Sequence, residues 1–167
     1  MLNTLIDDLF LSQKIEFKKK FTNKELLLFQ YFKIKTKTFA ENIIIINKNI
    51  FYFVKKNDYF KAKMYQHSLR MDAKNMKVIV ISSEKILIKQ IFSFFPDTFI
   101  YDIKLELDDK KGYYKIILFF LSYKDRGIAI GNSGEYIGAI NYIFQNYIFL
   151  KGNFGKRNFI KIECNLI

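Results

Sequence analysis

The strongest constraint on what this chain can fold into is that one order of segments is legible in it twice. Thr22-Asn23-Lys24-Glu25 stands just before Leu26, Leu27, Leu28, Phe29, Tyr31 and Phe32. Thr followed three residues later by Glu is a capping box, which satisfies orphan backbone donors at a helix start, so a helix is predicted over 23–33. The β-branched and aromatic runs 42–47 and 50–54, split by Asn47-Lys48-Asn49, predict a hairpin. A stretch of helical character to Met76 and a strand over 78–81 complete the first cycle. The second begins with a helix over 83–95, closed by Pro96. A strand over 101–107 puts Ile103, Leu105 and Leu107 on one face, and the turn at 108–112 leads to its hairpin partner over 113–121. Helical residues over 124–150, interrupted by glycines, precede a last strand over 159–164.

Each cycle therefore reads helix, strand, strand, helix, helix, strand. At an offset of 67, residues 50–54 overlay 117–121, Asp58 falls on Asp125 and Ala62 on Ala129. The second copy is longer after its loop by about a dozen residues. The expected class is α+β. Residues 1–21 are left as an N-terminal extension with a short helix over 2–12, followed by repeats over 22–83 and 84–167.

The chemistry is concentrated in Asp125-Arg126-Gly127-Ile128-Ala129-Ile130-Gly131-Asn132-Ser133-Gly134-Glu135-Tyr136-Ile137. Two glycines spaced G-x-x-G sit before an amphipathic helix. Glycine permits a tight turn and lets a ligand approach without a side chain in the way. The helix that follows offers unpaired N–H groups and the positive end of its dipole, a place for phosphate. Bases splayed from that strand would lie over Ile128, Ile130 and Ile137, and Lys124 and Arg126 stand upstream as screening cations. The spacing G-x-x-x-G-x-x-G is not the dinucleotide fingerprint, and no Lys-Ser or Lys-Thr follows as in a P-loop.

This stretch resembles the KH motif of NusA-type transcription factors, most closely the short archaeal NusA-like form, which is little more than two KH domains in tandem. The resemblance covers 22–167, strongly in the second copy and weakly in the first. It implies two type II KH domains, with Gly127, Gly131, Asn132, Ser133 and Gly134 among the RNA-binding residues. It also implies single-stranded RNA as partner, with RNA polymerase as the host complex. Two departures stand out. The family carries a basic residue inside the loop, where Asn132 and Ser133 are neutral; and the first copy has Met64-Tyr65-Gln66-His67 where the glycines belong. The first KH domain is therefore expected to be degenerate, a packing partner or a protein-binding surface.

Composition narrows the setting. The formal charge of +12 suggests a polyanion partner, but the basic residues are nearly all lysine. Lysine, Ile, Asn, Phe and Tyr share AT-rich codons, so a biased genome supplies lysine without functional demand. An organelle interior (plastid stroma or mitochondrial matrix), or the cytoplasm of an organism with an AT-rich genome, is the expected location. Cys164 is the only cysteine, which excludes an internal disulfide framework. No leader or membrane span is expected, nor any cofactor or metal.

His67 is read as a surface residue, Cys164 as a core residue, and Asp108-Asp109 as a solvated turn. Tyr113 is the aromatic of 113–120 expected to be exposed. Lys18-Lys19-Lys20 and Lys156-Arg157 are further phosphate candidates. With no catalytic constellation, a binding protein is expected and not an enzyme. The alternatives are a ribosomal or ribosome-associated KH protein on rRNA, or a protein-docking subunit of an organellar polymerase with a vestigial loop.

Overall fold

The computed structural model describes residues 2–151 and 159–167. The chain divides into two compact units, residues 19–84 and residues 1–18 together with 85–167. It opens with α1 (Leu2–Leu11) and the short strand β1 (Ile15–Phe17). The first repeat then runs α2 (Asn23–Thr36), β2 (Ala40–Ile46), β3 (Asn49–Lys55), a 3-10 turn over Lys56–Asp58, α3 (Tyr59–Lys63), α4 (Gln66–Asp72) and β4 (Lys77–Ser83). The second runs α5 (Leu87–Ser93), β5 (Ile100–Asp108), β6 (Tyr113–Phe120), α6 (Tyr123–Ile130), a 3-10 turn over Asn132–Gly134, α7 (Glu135–Asn146), β7 (Ile148–Leu150) and β8 (Phe159–Leu166).

Both units build the same sheet. In the first, β3 lies between β2, antiparallel, and β4, parallel; in the second, β6 lies between β5, antiparallel, and β8, parallel. Each antiparallel pair carries an irregularity at the same place, between Ala40 and Asn42 opposite Val54, and between Ile100 and Asp102 opposite Phe120. That fixes the strand equivalence at an offset of 66, Val54 on Phe120, not the 67 of the sequence overlay. A one-residue shift exchanges the two faces of a strand. The helices do keep the offset of 67, since Ala62 and Ala129 are both fully buried, so one extra residue lies between β6 and α6.

Local chemistry explains the elements. Thr22 caps α2 by accepting from the Glu25 N–H at 3.2 Å, but the Glu25 carboxylate does not reach back to the Thr22 backbone. It accepts from the Thr22 hydroxyl at 3.0 Å and from the Lys19 ammonium, in an ion pair almost wholly buried. Asn47 takes φ 53° in the two-residue β2–β3 turn, a conformation Asn tolerates. Gly112, at φ 67°, closes the β5–β6 turn by donating to the Asp108 carbonyl at 2.8 Å.

The core of the first unit gathers Phe32 of α2 with Ile43, Tyr52, Leu69 and Val80, and Phe32 stacks on Tyr52 at 4.3 Å. In the second, Ile116, Leu118 and Phe120 of β6 are buried, as are Ile140, Ile143 and Phe144 of α7, and Phe144 meets Phe94, the residue after α5, edge-on at 5.5 Å. Each such fully buried side chain contributes roughly 1.5–3 kcal/mol.

The N-terminal extension divides: residues 19–21 go with the first repeat and residues 1–18 with the second. Residues 13–18 strap the second: Ile15, Glu16 and Phe17 pair with Leu150, Phe149 and Ile148. Gln13 accepts from the Leu87 N–H, and Ile15 donates to the Lys85 carbonyl. Phe10 of α1 lies 4.4 Å from the Tyr114 ring. The predicted helix over 124–150 accordingly stops at Asn146, because 148–150 are taken up as β1's partner. Among the described residues no helix is long and apolar enough to cross a membrane.

Candidate nucleic-acid interface

The glycine loop joins α6 to α7. Ser122 starts α6 by accepting from the Asp125 N–H and donating to its carboxylate, both at 3.0 Å, the same device that Thr22 and Glu25 use on α2. The helix ends at Ile130, where Gly131 donates to the Gly127 carbonyl. Gly131 then turns to φ 77° and ψ 174°, a region open essentially to glycine alone. Ser133 (φ 52°) and Gly134 (φ 73°) are both left-handed, and α7 begins at Glu135 with no side-chain cap. The result is a turn exposed at its tip, in which the Gly134 and Glu135 N–H groups donate to the Gly131 and Asn132 carbonyls and α7 starts without a side-chain cap.

The two glycines are needed for different reasons. A Cβ on Gly131 would lie 2.7 Å from the Tyr136 Cβ, so this glycine lets α6 and α7 close together. Tyr136 is itself fixed, its hydroxyl donating to the Phe94 carbonyl and its ring set edge-on to Phe95. At Gly134 nothing lies within 4 Å of a Cβ, so the backbone there faces open space. Asn132 and Ser133 are exposed at the tip, and Gly127 is exposed on α6.

Of the residues expected to line a base groove, Ile128 is exposed while Ile130 and Ile137 are half-buried. Ile128 and Ile130 are two apart on α6, about 200° around the helix, so they do not share a face. Lys124 is exposed as expected. Arg126 is engaged elsewhere: its Nε donates to the Cys164 carbonyl at 3.0 Å, on the outer edge of β8. Cys164 is buried, and burial pushes its thiol up to about 12 against the opposing pull of Arg126.

The other candidates separate in the same way. Lys18 pairs with Glu16 at 3.2 Å and lies over the Phe149 ring, and Lys19 pairs with Glu25, so of that cluster only Lys20 stands outside the ion pairs described here. Lys156-Arg157 lie outside the described residues. His67 is exposed on α4, and Tyr113 is half-buried between Lys111 and Lys161. Among the described residues no group of three His, Cys, Asp or Glu could hold a metal ion.

One feature had no sequence signal at all. β4 and β8 are the last strands of their sheets, and in each a helix side chain satisfies the outward backbone. Asn141 of α7 donates to the Ile162 carbonyl at 3.0 Å and accepts from its N–H at 2.7 Å. In the first repeat Arg70 donates to the Val78 carbonyl at 2.9 Å, and Gln66 accepts from the Val80 N–H at 3.0 Å. By sheet register Val78 is the counterpart of Ile162, so Arg70 stands where Asn141 does, at an offset of 71. The offset grows from 67 to 71 across the α6–α7 junction. From Ala62 to Arg70 the first repeat is thus four residues shorter than from Ala129 to Asn141. Its junction has two residues, Met64 and Tyr65, against four with the glycines, α4 also starts later relative to its mooring, and Gln66 and His67 already belong to α4.

No protein-family model matches the chain, and no curated protein matches it. Among solved structures it is similar to one described as "Crystal structure of APE1850". The alignment covers 86% of this chain and 100% of that one, with 19% identity and a TM-score of 0.59. The likeness is one of fold.

Proposed function

We propose that the protein binds single-stranded RNA as a NusA-like factor made of two type II KH domains, with the glycine loop of the second as its grip. The observation that carries this reading is the α6–α7 junction: a glycine turn, open beyond Gly134 and leading into a helix start with no side-chain cap, within a helix-strand-strand-helix-helix-strand unit. Backbone donors at a helix start suit a phosphate, and the neutral Asn132 and Ser133 leave Lys124 as the nearest exposed cation upstream. Glu135 in the first turn of α7 opposes an anion, which favours modest affinity at this loop. Exposed Ile128 and half-buried Ile137, on the helices flanking the loop, offer apolar contact to unstacked bases. This is a role in binding, not catalysis, with RNA polymerase as the host complex.

Fluorescence anisotropy of a short unstructured RNA, at two salt concentrations, tests the reading. The comparison is between the natural chain and Asn132→Asp with Ser133→Asp. Aspartate tolerates the left-handed conformation of Ser133, so the change adds charge without breaking the turn. The expected outcome is a loss of about tenfold or more in affinity, from like-charge repulsion of phosphate, with an unchanged circular dichroism spectrum. Equal binding by both proteins would remove the loop from the interface. Co-sedimentation with a ribosomal subunit through high salt, and not with polymerase, would move the protein to the ribosome.

A further inference from the structure

We propose that the first repeat, which lacks the glycine loop, is a second contact for single-stranded RNA, holding phosphates with lysines and stacking bases on exposed phenylalanines. The starting observation is where the charge lies. Residues 19–84 carry fourteen Lys and Arg against five Asp and Glu; the remaining residues carry fourteen against eleven. Nine of the twelve net positive charges thus sit in the shorter unit. A codon bias toward lysine sets the average over the whole gene and does not by itself favour one unit over the other.

The excess is also placed. Ala40 pairs with Val54, so the residues entering β2 and those leaving β3 meet at one end of the sheet. That end carries Lys37, Lys55 and Lys56, all exposed, and Lys61 follows on α3 at the position that Ile128 holds on α6. None of the four belongs to an ion pair described here, whereas Glu25 and Asp72 are already taken by Lys19 and Lys35. Asp58 is the one carboxylate in the segment 55–63.

Two exposed aromatic rings are close to these lysines in sequence. Phe39, 55% exposed, directly precedes Ala40 and lies under the Lys33 ammonium at 4.7 Å; Phe60, 80% exposed, is one helical turn beyond Lys56. Phe39 also meets the Phe29 ring at 6.3 Å, so it is packed on one side and open on the other. The pairing of lysines with rings is what a sequence-tolerant single-strand binder uses, with cations tracking the backbone and rings stacking bases. Without the loop, no backbone clamp fixes one register. The first repeat should therefore bind loosely and at any sequence.

The test uses the full chain with oligouridines of 6 and 20 nucleotides. Lys55→Glu, Lys56→Glu and Lys61→Glu together remove the cations at exposed sites, and Phe39→Ala with Phe60→Ala remove the rings. Lys14→Glu, Lys89→Glu and Lys110→Glu, all exposed in the other unit, make the same change in net charge. The first triple should weaken 20-mer binding about tenfold or more, and lower the slope of log affinity on log salt by about 2, at ~0.7 per lost phosphate contact. The phenylalanine pair should weaken it about tenfold with the slope unchanged. Equal losses from the two triples would reduce the contact to diffuse charge, and an unchanged slope in the first triple would refute it outright. Repeating the first triple on the Asn132→Asp, Ser133→Asp background keeps the two sites apart: residual binding that survives the loop change and is abolished by the triple supports the lysine site even if the loop reading fails.

Discussion

In the first repeat the two helices after the hairpin are joined by Met64 and Tyr65, both in the right-handed helical region. In the second the same junction opens into Gly131, Asn132, Ser133 and Gly134, three of them at positive φ. Around this difference the sheets agree in strand order, direction and register, down to the shared irregularity opposite Val54 and Phe120. The second helix of each pair is moored to the same carbonyl, by Arg70 at Val78 and by Asn141 at Ile162. The comparison teaches that the mooring, not the junction, positions that helix. The junction is then free to be a plain turn in one copy and a strained loop in the other.

The largest test of that equivalence is in the cores. Leu69 of α4 and Ile140 of α7 hold equivalent places at the offset of 71 and are both fully buried, so Leu69→Ala and Ile140→Ala should each cost about 2–5 kcal/mol in urea unfolding. A loss below ~1 kcal/mol in either would break the symmetry of the two copies. A smaller and one-sided effect belongs to the junctions. Gly131→Ala forces a side chain into a glycine-only conformation and against Tyr136, at a cost of about 2–3 kcal/mol. Met64→Ala, at a site 82% exposed, should stay within ~0.5 kcal/mol. Thermal denaturation of the pair reads the difference, and equal losses would mean the loop carries no strain. Smallest are the moorings. Asn141→Ala leaves both outward groups of Ile162 unpaired and should cost about 1–3 kcal/mol, against ~1 kcal/mol for the exposed Arg70→Ala. Hydrogen exchange at the Ile162 amide reports the Asn141 effect directly.

Much of this fold was legible because its signals are local. Thr22 with Glu25, the Asn47 turn, Gly112 and the alternating Ile103, Leu105 and Leu107 each mark an element through neighbours in sequence. What escaped is what forms between distant residues. β1 and β7 are three residues each, too short for any periodicity, and they pair across more than 130 positions. The overlay of apolar strands slipped by one residue because 117–121 and 116–120 are equally apolar, and only the sheet register separates them. At the candidate site the glycines were readable from their spacing. The engagement of Arg126 with the Cys164 carbonyl was not, since nothing nearby in sequence distinguishes it from a free cation.

The mooring of the last strands has a consequence for how the chain survives its own synthesis. Each sheet is sealed along one side by helix side chains, whereas β2 forms the opposite border of its sheet and contains Ile43, Ile44, Ile45 and Ile46 in succession. Its hairpin with β3 is complete by residue 55, but the parallel strand that finishes the sheet ends only at Ser83. While those residues are still being added, a run of isoleucines with unpaired backbone is available to any neighbouring chain, which is the composition that seeds cross-β stacking. β4 pairs with β3 and leaves that border open, so the polar flanks Glu41 and Asn42 before the run, and Asn47 and Lys48 after it, are placed as gatekeepers in the growing chain and in the finished sheet alike.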